Sequence, residues 1–316
     1  MVLRGANATE KSSEERLMQK YNRLRLVSWI TIPILALALG LMVYLNFNYL
    51  VFKVLITEHY AYDETLADLY ASELGEDTQG SYMARFDDFV IAAVTEKIRT
   101  KNQDYYTYLY TPPSYVLQKE VVQAVAVEGS FIKEIRADTV YVRIPNFSSY
   151  TESFLHDNRE EVSAYPYVVI DLRGNGGGSL DALYEMADLF LDKNMLIGKE
   201  VARTGFFSKT IKAKSARYFD FEGIYLLQDG QTASASESFI NALRENLDNV
   251  TVVGTQSYGK GIGQVTIPLK DGYAVKATTM ILETPNGNCI HRVGIAPDVV
   301  YEDDDIVEFV TKQIGQ

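Results

Sequence analysis

A chain of 316 residues that is 47% hydrophobic and 23% charged has the apolar content to bury a core, which excludes disordered and collagen-like classes. Its formal net charge of -12, from 30 Lys+Arg against 42 Asp+Glu, offers no basic face for a phosphate backbone, so no nucleic-acid partner is expected. One cysteine, Cys289, and three scattered histidines, His59, His156 and His291, make neither an internal disulfide nor a Cys/His zinc cluster. The expected cofactor complement is none, with carboxylate-bound Mg²⁺ or Ca²⁺ left formally open.

From Leu26 to Phe52 no charged residue appears, a run longer than the roughly 20 apolar residues that cross a bilayer as a helix. It predicts a single membrane span. Pro33 is tolerated in a span because local groups satisfy the freed carbonyl, and Trp29, Tyr44 and Tyr49 near its ends suit the two interfaces. Before it, Arg4, Lys11, Arg16, Lys20, Arg23 and Arg25 outnumber Glu10, Glu14 and Glu15; just after it, Lys53 faces Glu58, Asp63, Glu64 and Asp68. The positive-inside rule then predicts residues 1–25 as a cytoplasmic tail, 26–52 as a signal anchor in the cell membrane, and the acidic remainder outside the cytoplasm. A cleaved signal peptide is the rival, on Ala36-Leu37-Ala38, but the apolar run continues well past that point.

Residues 53–123 read as a helical segment. LADLYASEL (66–74) and FDDFVIAAVTEKI (86–98) place apolar residues at three- and four-residue spacing, with Asp63 and Asp87 as early caps or first-turn acids. A further helix follows Pro112-Pro113 and is expected to end near Gln123. Tyr105, Tyr106, Tyr108 and Tyr110 are read as part of this packed helical layer rather than as a peptide-binding surface. From Ala124 onward the texture is α/β. The runs AVAV (124–127), TVYVRI (139–144) and YVVIDL (167–172) alternate with helical stretches at about 148–163, 179–192 and 233–247, and more strands are expected at 223–228, 250–254, 263–269 and 272–282. The unbroken VVI at 168–170 predicts a central strand buried on both faces.

Three segments carry chemistry. The first, Asp171 to Ser179 (DLRGNGGGS), lies between a buried strand and a helix, where glycines admit positive φ and successive amides form an anion-stabilising concavity. It matches neither GxxxxGK[ST] nor GxGxxG, which leaves an oxyanion hole as the alternative to a phosphate cradle. The second, TASASE (232–237), sits at a strand-to-helix turn that can expose a serine Oγ, although Ser234, Ser236 or Ser238 would serve equally well as helix caps. In the third, GKGIGQ (259–264), Lys260 is flanked by glycines in apolar surroundings; it is a desolvated amine or else a solvated hairpin lysine.

In order and texture these segments resemble the C-terminal processing (tail-specific) peptidases, serine endopeptidases with a Ser–Lys dyad on a crotonase-like α/β core. The likeness covers about residues 104–312 through DYYTYLYTPPSY, TVYVRIPNF, YVVIDLRGNGGGSLDAL, TASASESFINAL, VVGTQSYGKGIGQ and ETPNGNCIHRVGIAPDVV. It implies an α/β peptidase core over 124–316, Ser234 as nucleophile, Lys260 as general base and Gln264 as the residue orienting it. The amides of Gly176, Gly177 and Ala235 would form the oxyanion hole, with Glu237, Arg173 and Asp298 structural. The Ser234-to-Lys260 spacing is one residue longer than the family's, with the slack at Asn246–Asn249, and Ser238 stands where the family has an aliphatic residue. Too few residues separate the helix near Gln123 from TVYVRI for the family's PDZ module, so recognition would fall to the core itself or to an adaptor.

The resemblance thus implies a membrane-anchored serine endopeptidase acting on exported or envelope polypeptides through an acyl-enzyme, with no cofactor. The rivals are a Ser-His-Asp triad using His291 or His156, and a catalytically silent peptide-binding scaffold on the same fold.

Overall fold

The computed structural model describes residues 13–62 and 88–314. Helix α1, Ser13–Leu45, carries the apolar run unbroken through Pro33, and its hydrophobic stretch is fully exposed in the isolated chain. Ser28 Oγ and Thr31 Oγ1 turn back onto the carbonyls of Arg25 and Val27. The expected span over 26–52 is shortened at Asn46, which separates α1 from α2 (Phe47–Val54), and a short π-helix follows over Leu55–His59. Phe52, Leu55, Ile56 and Tyr60 are buried against protein, not left for lipid. Leu26–Leu45 alone is about 30 Å long at 1.5 Å per residue, which matches a hydrocarbon core. The end of α1 is tied to the rest of the chain by Lys270, whose Nζ lies 4.0 Å from the Tyr44 ring centroid and whose amide donates to Asn48 Oδ1.

Helix α3 spans Asp88–Asn102, β1 Tyr108–Tyr110 and α4 Pro112–Gly129. The expected 66–74 helix and the Asp63 and Asp87 caps lie outside the described residues. Two expectations are corrected here. Tyr108 and Tyr110 belong to a strand paired antiparallel with residues 274–276, and AVAV lies near the end of α4, which runs past Gln123 to Gly129. The period-two pattern is overridden because only Ala126 of that run is buried, and the helix end is held by Ser130 Oγ on the Ala126 carbonyl and by Asn146 Nδ2 on that of Val122.

The remainder is α/β, in the order β2 (Phe131–Arg136), β3 (Thr139–Arg143), α5 (Ser149–Asp157), α6 (Arg159–Ser163), β4 (Tyr167–Asp171), α7 (Leu180–Asp188), β5 (Leu196–Ala202), β6 (Lys209–Lys212), β7 (Gly223–Gln228), α8 (Ala235–Arg244), β8 (Val250–Gly254), β9 (Ile262–Pro268), β10 (Ala274–Glu283), β11 (Val299–Val300) and α9 (Ile306–Gln313). One sheet runs β11-β8-β7-β4-β3-β2, all parallel except the β2–β3 hairpin. Val168 and Ile170 enter the core beneath α5, α7 and α8, and Val169 enters the opposite layer with Ile306 and Val310 of α9, so the strand is buried on both faces as its apolar run predicts. The second sheet, β1-β10-β5-β6 with β9 also on β10, is antiparallel and packs against α2 and the π-helix. The chain crosses between the sheets after β8, and Lys260 lies on that crossing.

Candidate active site

The three segments flagged by sequence meet at the carboxyl ends of β4, β7 and β8, where open parallel sheets present their loops. After β4 the chain enters the glycine loop. Buried Asp171 anchors it, bound by Arg173 Nη2 (2.7 Å), Tyr141 Oη (2.6 Å) and the Arg173 amide (2.9 Å), while Arg143 reaches the Asp171 and Arg173 carbonyls. Burial pushes the Asp171 carboxyl up, but the Arg173 and Tyr141 hydrogen bonds and the Arg143 charge outweigh it and hold the group below its ordinary value. Asp229 ties this loop to the serine loop, accepting from the amides of Gly174 (2.9 Å), Gln231 (2.9 Å) and Thr232 (3.0 Å).

Ser234 heads α8 with φ 59° and ψ -119°, a conformation that costs a non-glycine residue about 1–3 kcal/mol and persists only where its surroundings impose it. Gly177 is one such surrounding. A Cβ on Gly177, whose φ is 101°, would lie 2.7 Å from Ser234 Cβ and 2.8 Å from the Ala233 carbonyl oxygen. Ser234 keeps 7% of its surface exposed, whereas Ser236 is fully buried with Oγ committed to the Asn175 carbonyl at 2.9 Å. Of the three amides expected to face an oxyanion, that of Gly177 donates to Asn175 Oδ1 at 2.9 Å. The amide of Ala235 opens the helix, where no preceding turn supplies an acceptor, and Gly176 is exposed with nothing within 4 Å of where a Cβ would stand.

Sequence reading placed Glu237 among structural residues, and the structure gives it a larger part. It is completely buried and accepts from four donors: the amides of Ser234 (2.8 Å), Gly259 (2.7 Å) and Lys260 (2.8 Å), and the hydroxyl of Ser257. One carboxylate therefore fixes both the serine amide and the lysine turn. Lys260 Nζ lies 4.6 Å from the Tyr106 ring centroid, and no hydrogen bond joins it to Ser234 Oγ. Burial, then the charge of Lys276, lower its pKa to about 8, against the opposing pull of Asp104 and Glu237. Asp104 is itself buried, and receives Tyr60 Oη, Thr107 Oγ1, Thr278 Oγ1 and the Tyr106 amide.

Gln264 lies in β9, just after the Lys260 turn, but turns its Nε2 to the Ile262 carbonyl at 3.3 Å, not to the lysine. The triad rivals lack their geometry among the described residues. His156 sits exposed beside Arg159 and Asp157, and His291 Nδ1 is buried with no hydrogen-bond partner. Burial, with the nearby Arg292 charge, lowers the His291 pKa. Arg173 and Asp298 serve the framework, the latter pairing with Arg244 and accepting from the Val252 amide. No group of three or more His, Cys, Asp or Glu side chains among the described residues is gathered to hold a metal ion.

Residues 138–301 match the model of Peptidase family S41. The chain is 34% identical over 174 residues to a carboxy-terminal-processing protease of Bartonella bacilliformis, covering 53% of this chain and 40% of that one. It is 36% identical over 180 residues to the carboxy-terminal processing protease CtpB of Bacillus subtilis, covering 55% and 36%. The chain thus spans two-fifths or less of the length of these curated relatives. In fold it is similar to the solved structure of a lipoprotein from Streptococcus agalactiae, with TM-score 0.59 and 17% identity over 81% of this chain and 91% of that one.

Proposed function

The chain belongs to peptidase family S41, and from that premise we propose that it is a membrane-anchored serine endopeptidase with Ser234 as nucleophile and Lys260 as general base. The observation that carries this reading is the convergence on Glu237. The strained serine and the desolvated lysine come from different loops and are held by the same carboxylate. With a pKa near 8, Lys260 is neutral in a useful fraction of molecules at neutral pH. It takes the Ser234 proton as Oγ attacks a peptide carbonyl, then returns it to the leaving amine; water activated by the same base releases the acyl fragment. The amides of Ala235 and Gly176 suit the developing oxyanion, and Gly177 serves by its closeness to Ser234. Gln264 acts, if at all, after a rotation toward Lys260. No cofactor enters the scheme. The crotonase-like core, the single span over residues 26–45, an extracytoplasmic catalytic domain and exported or envelope polypeptides as substrates complete the proposal. Between α4 and β3 only the strand β2 intervenes, so peptide recognition rests with the core or an adaptor.

One observation favours the second reading, a silent peptide-binding scaffold: Lys260 Nζ rests on Tyr106 rather than on Ser234. Catalytic hydrogen bonds commonly close only on substrate binding. A fluorophosphonate separates the two readings. Covalent attachment mapped to Ser234 and lost in Ser234→Ala and Lys260→Arg supports the peptidase, and a chain that stays unlabelled from pH 7 to 10 is a scaffold.

A further inference from the structure

Next to the Lys260 turn lies a cleft of about 420 Å³ that the proposed bond-breaking steps do not use. Tyr62, Tyr105, Tyr106, Tyr258, His291 and Arg292 are among the residues that line it. Among the described residues its lining holds no carboxylate, and Arg292 is the formally charged side chain there. The Arg292 side chain is exposed and makes no hydrogen bond or ion pair among the described residues. Its backbone, by contrast, is tightly held. Arg292 has φ 63°, a left-handed conformation uncommon for arginine, and its amide donates to the Gly259 carbonyl at 2.8 Å. A Cβ on Gly261 would come within 2.6 Å of the His291 nitrogen, and one on Gly259 within 2.8 Å of the Gly294 nitrogen. The turn bearing Arg292 is therefore docked, backbone on backbone, against the turn bearing Lys260. In the same lining Tyr106 Oη donates to Tyr258 Oη at 3.1 Å, which leaves the Tyr258 proton, among the described residues, free for a further acceptor.

A rigidly based guanidinium, a spare hydroxyl donor and an aromatic lining that, among the described residues, keeps its nearest carboxylate, Asp104, buried behind Tyr106 make a site for a planar anion, and bidentate pairing suits carboxylate. On a polypeptide a carboxylate occurs as an Asp or Glu side chain or as the free C-terminus. We propose that this cleft is the substrate-recognition subsite of the chain, and that Arg292, with the Tyr258 hydroxyl, holds a peptide carboxylate close to the bond presented to Ser234. This rests on the peptidase reading above and adds to it the class of peptide selected.

The test uses full-length Ser234→Ala protein in nanodiscs and three dye-labelled peptides of one neutral sequence: with a free C-terminus, with an amidated C-terminus, and amidated with one internal Gln replaced by Glu. Anisotropy titrations at low salt should give one or both carboxylate peptides a Kd about tenfold below that of the neutral amide. Which of the two gains identifies the source of the carboxylate. Adding Arg292→Gln should bring the three values within twofold of one another, and Arg292→Lys should restore part of the preference. Tyr258→Phe, which removes only a hydroxyl, should weaken the carboxylate peptides selectively, so the result does not depend on a single variant folding. Equal affinities, no binding of any peptide, or a preference that survives both Arg292→Gln and Tyr258→Phe would overturn the proposal. Fluorophosphonate labelling of the unmodified chain keeps the two claims apart. Label without carboxylate preference removes the cleft and keeps the peptidase; preference without label does the reverse.

Discussion

The proposed role of Lys260 as base, with burial and Lys276 lowering its pKa to about 8, predicts how activity should follow pH. The protonated form is inactive, so the rate follows the neutral fraction and rises with pH, half of it in hand near pH 8. From pH 6 to pH 8 that fraction grows from about 1% to about 50%, roughly fiftyfold, and then flattens by about pH 9.5. A lysine at its free value near 10.4 would give a curve still climbing tenfold per unit at pH 9. The causes of the shift supply internal controls. Lys276, on β10 beside Tyr108, helps to lower the pKa, so Lys276→Gln should move the midpoint upward. Asp104 opposes the shift, so Asp104→Asn should move it downward. The assay is the rate of Ser234 labelling by a fluorophosphonate between pH 5.5 and 10.5, in which no peptide carboxylate or amine titrates. A midpoint above 10, or both variants moving the same way, would refute the assignment of Lys260 as a desolvated base.

Ser234→Ala should abolish labelling and hydrolysis without loss of fold, whereas Ser236→Ala should keep labelling and lose about 1 kcal/mol of stability in urea titrations, for its one buried hydrogen bond to Asn175. Gly177→Ala places a methyl within 2.7 Å of Ser234 Cβ at φ 101°, and kcat should fall about a hundredfold while α7 and α8 remain helical by circular dichroism. Glu237→Gln turns one acceptor oxygen into a donor facing amides, so thermal denaturation should show a lower Tm, with about 3 kcal/mol lost, together with slower labelling. In intact cells, external protease should digest a C-terminal tag; a tag protected until the membrane is opened would reverse the orientation.

The parts of the site that sequence revealed are those where close approach leaves no choice of residue. Glycines at 177 and 178 are required because a Cβ at the first meets Ser234 and at the second would fall 2.0 Å from the Phe147 carbonyl oxygen, so the loop is visible as a run of glycines. Buried parallel strands such as β4 and β7 are visible as continuous apolar runs. Of the second sheet β9 and β10 were legible as strands at 263–269 and 272–282, but β1, β5 and β6 were not, because β1 has three residues and β5 and β6 alternate poorly. The expected span over 26–52 runs past the end of α1 for a related reason. Composition does not distinguish apolar residues facing lipid from those facing protein, and Phe52 faces the latter.

Glu237 shows why the segments of a candidate site can be legible in sequence while their coupling is not. Its donors are the amide three residues before it and three groups twenty or more residues later, so no local spacing announces them. A buried carboxylate without partners would be costly, yet this one has four, and each belongs to a segment that must be placed for the chemistry: Ser234 at its strained φ, and Ser257, Gly259 and Lys260 on the crossing between the sheets. Ser257 Oγ also receives the Ile295 amide at 2.7 Å, and Arg292 bonds to Gly259. The carboxylate therefore stands at the centre of a continuous set of contacts from Ser234, through the Lys260 turn, to the turn carrying Arg292. If the proposed subsite holds, this network is what connects a peptide carboxylate at Arg292 to the distance between Lys260 and Ser234, and Glu237→Gln should then weaken that connection.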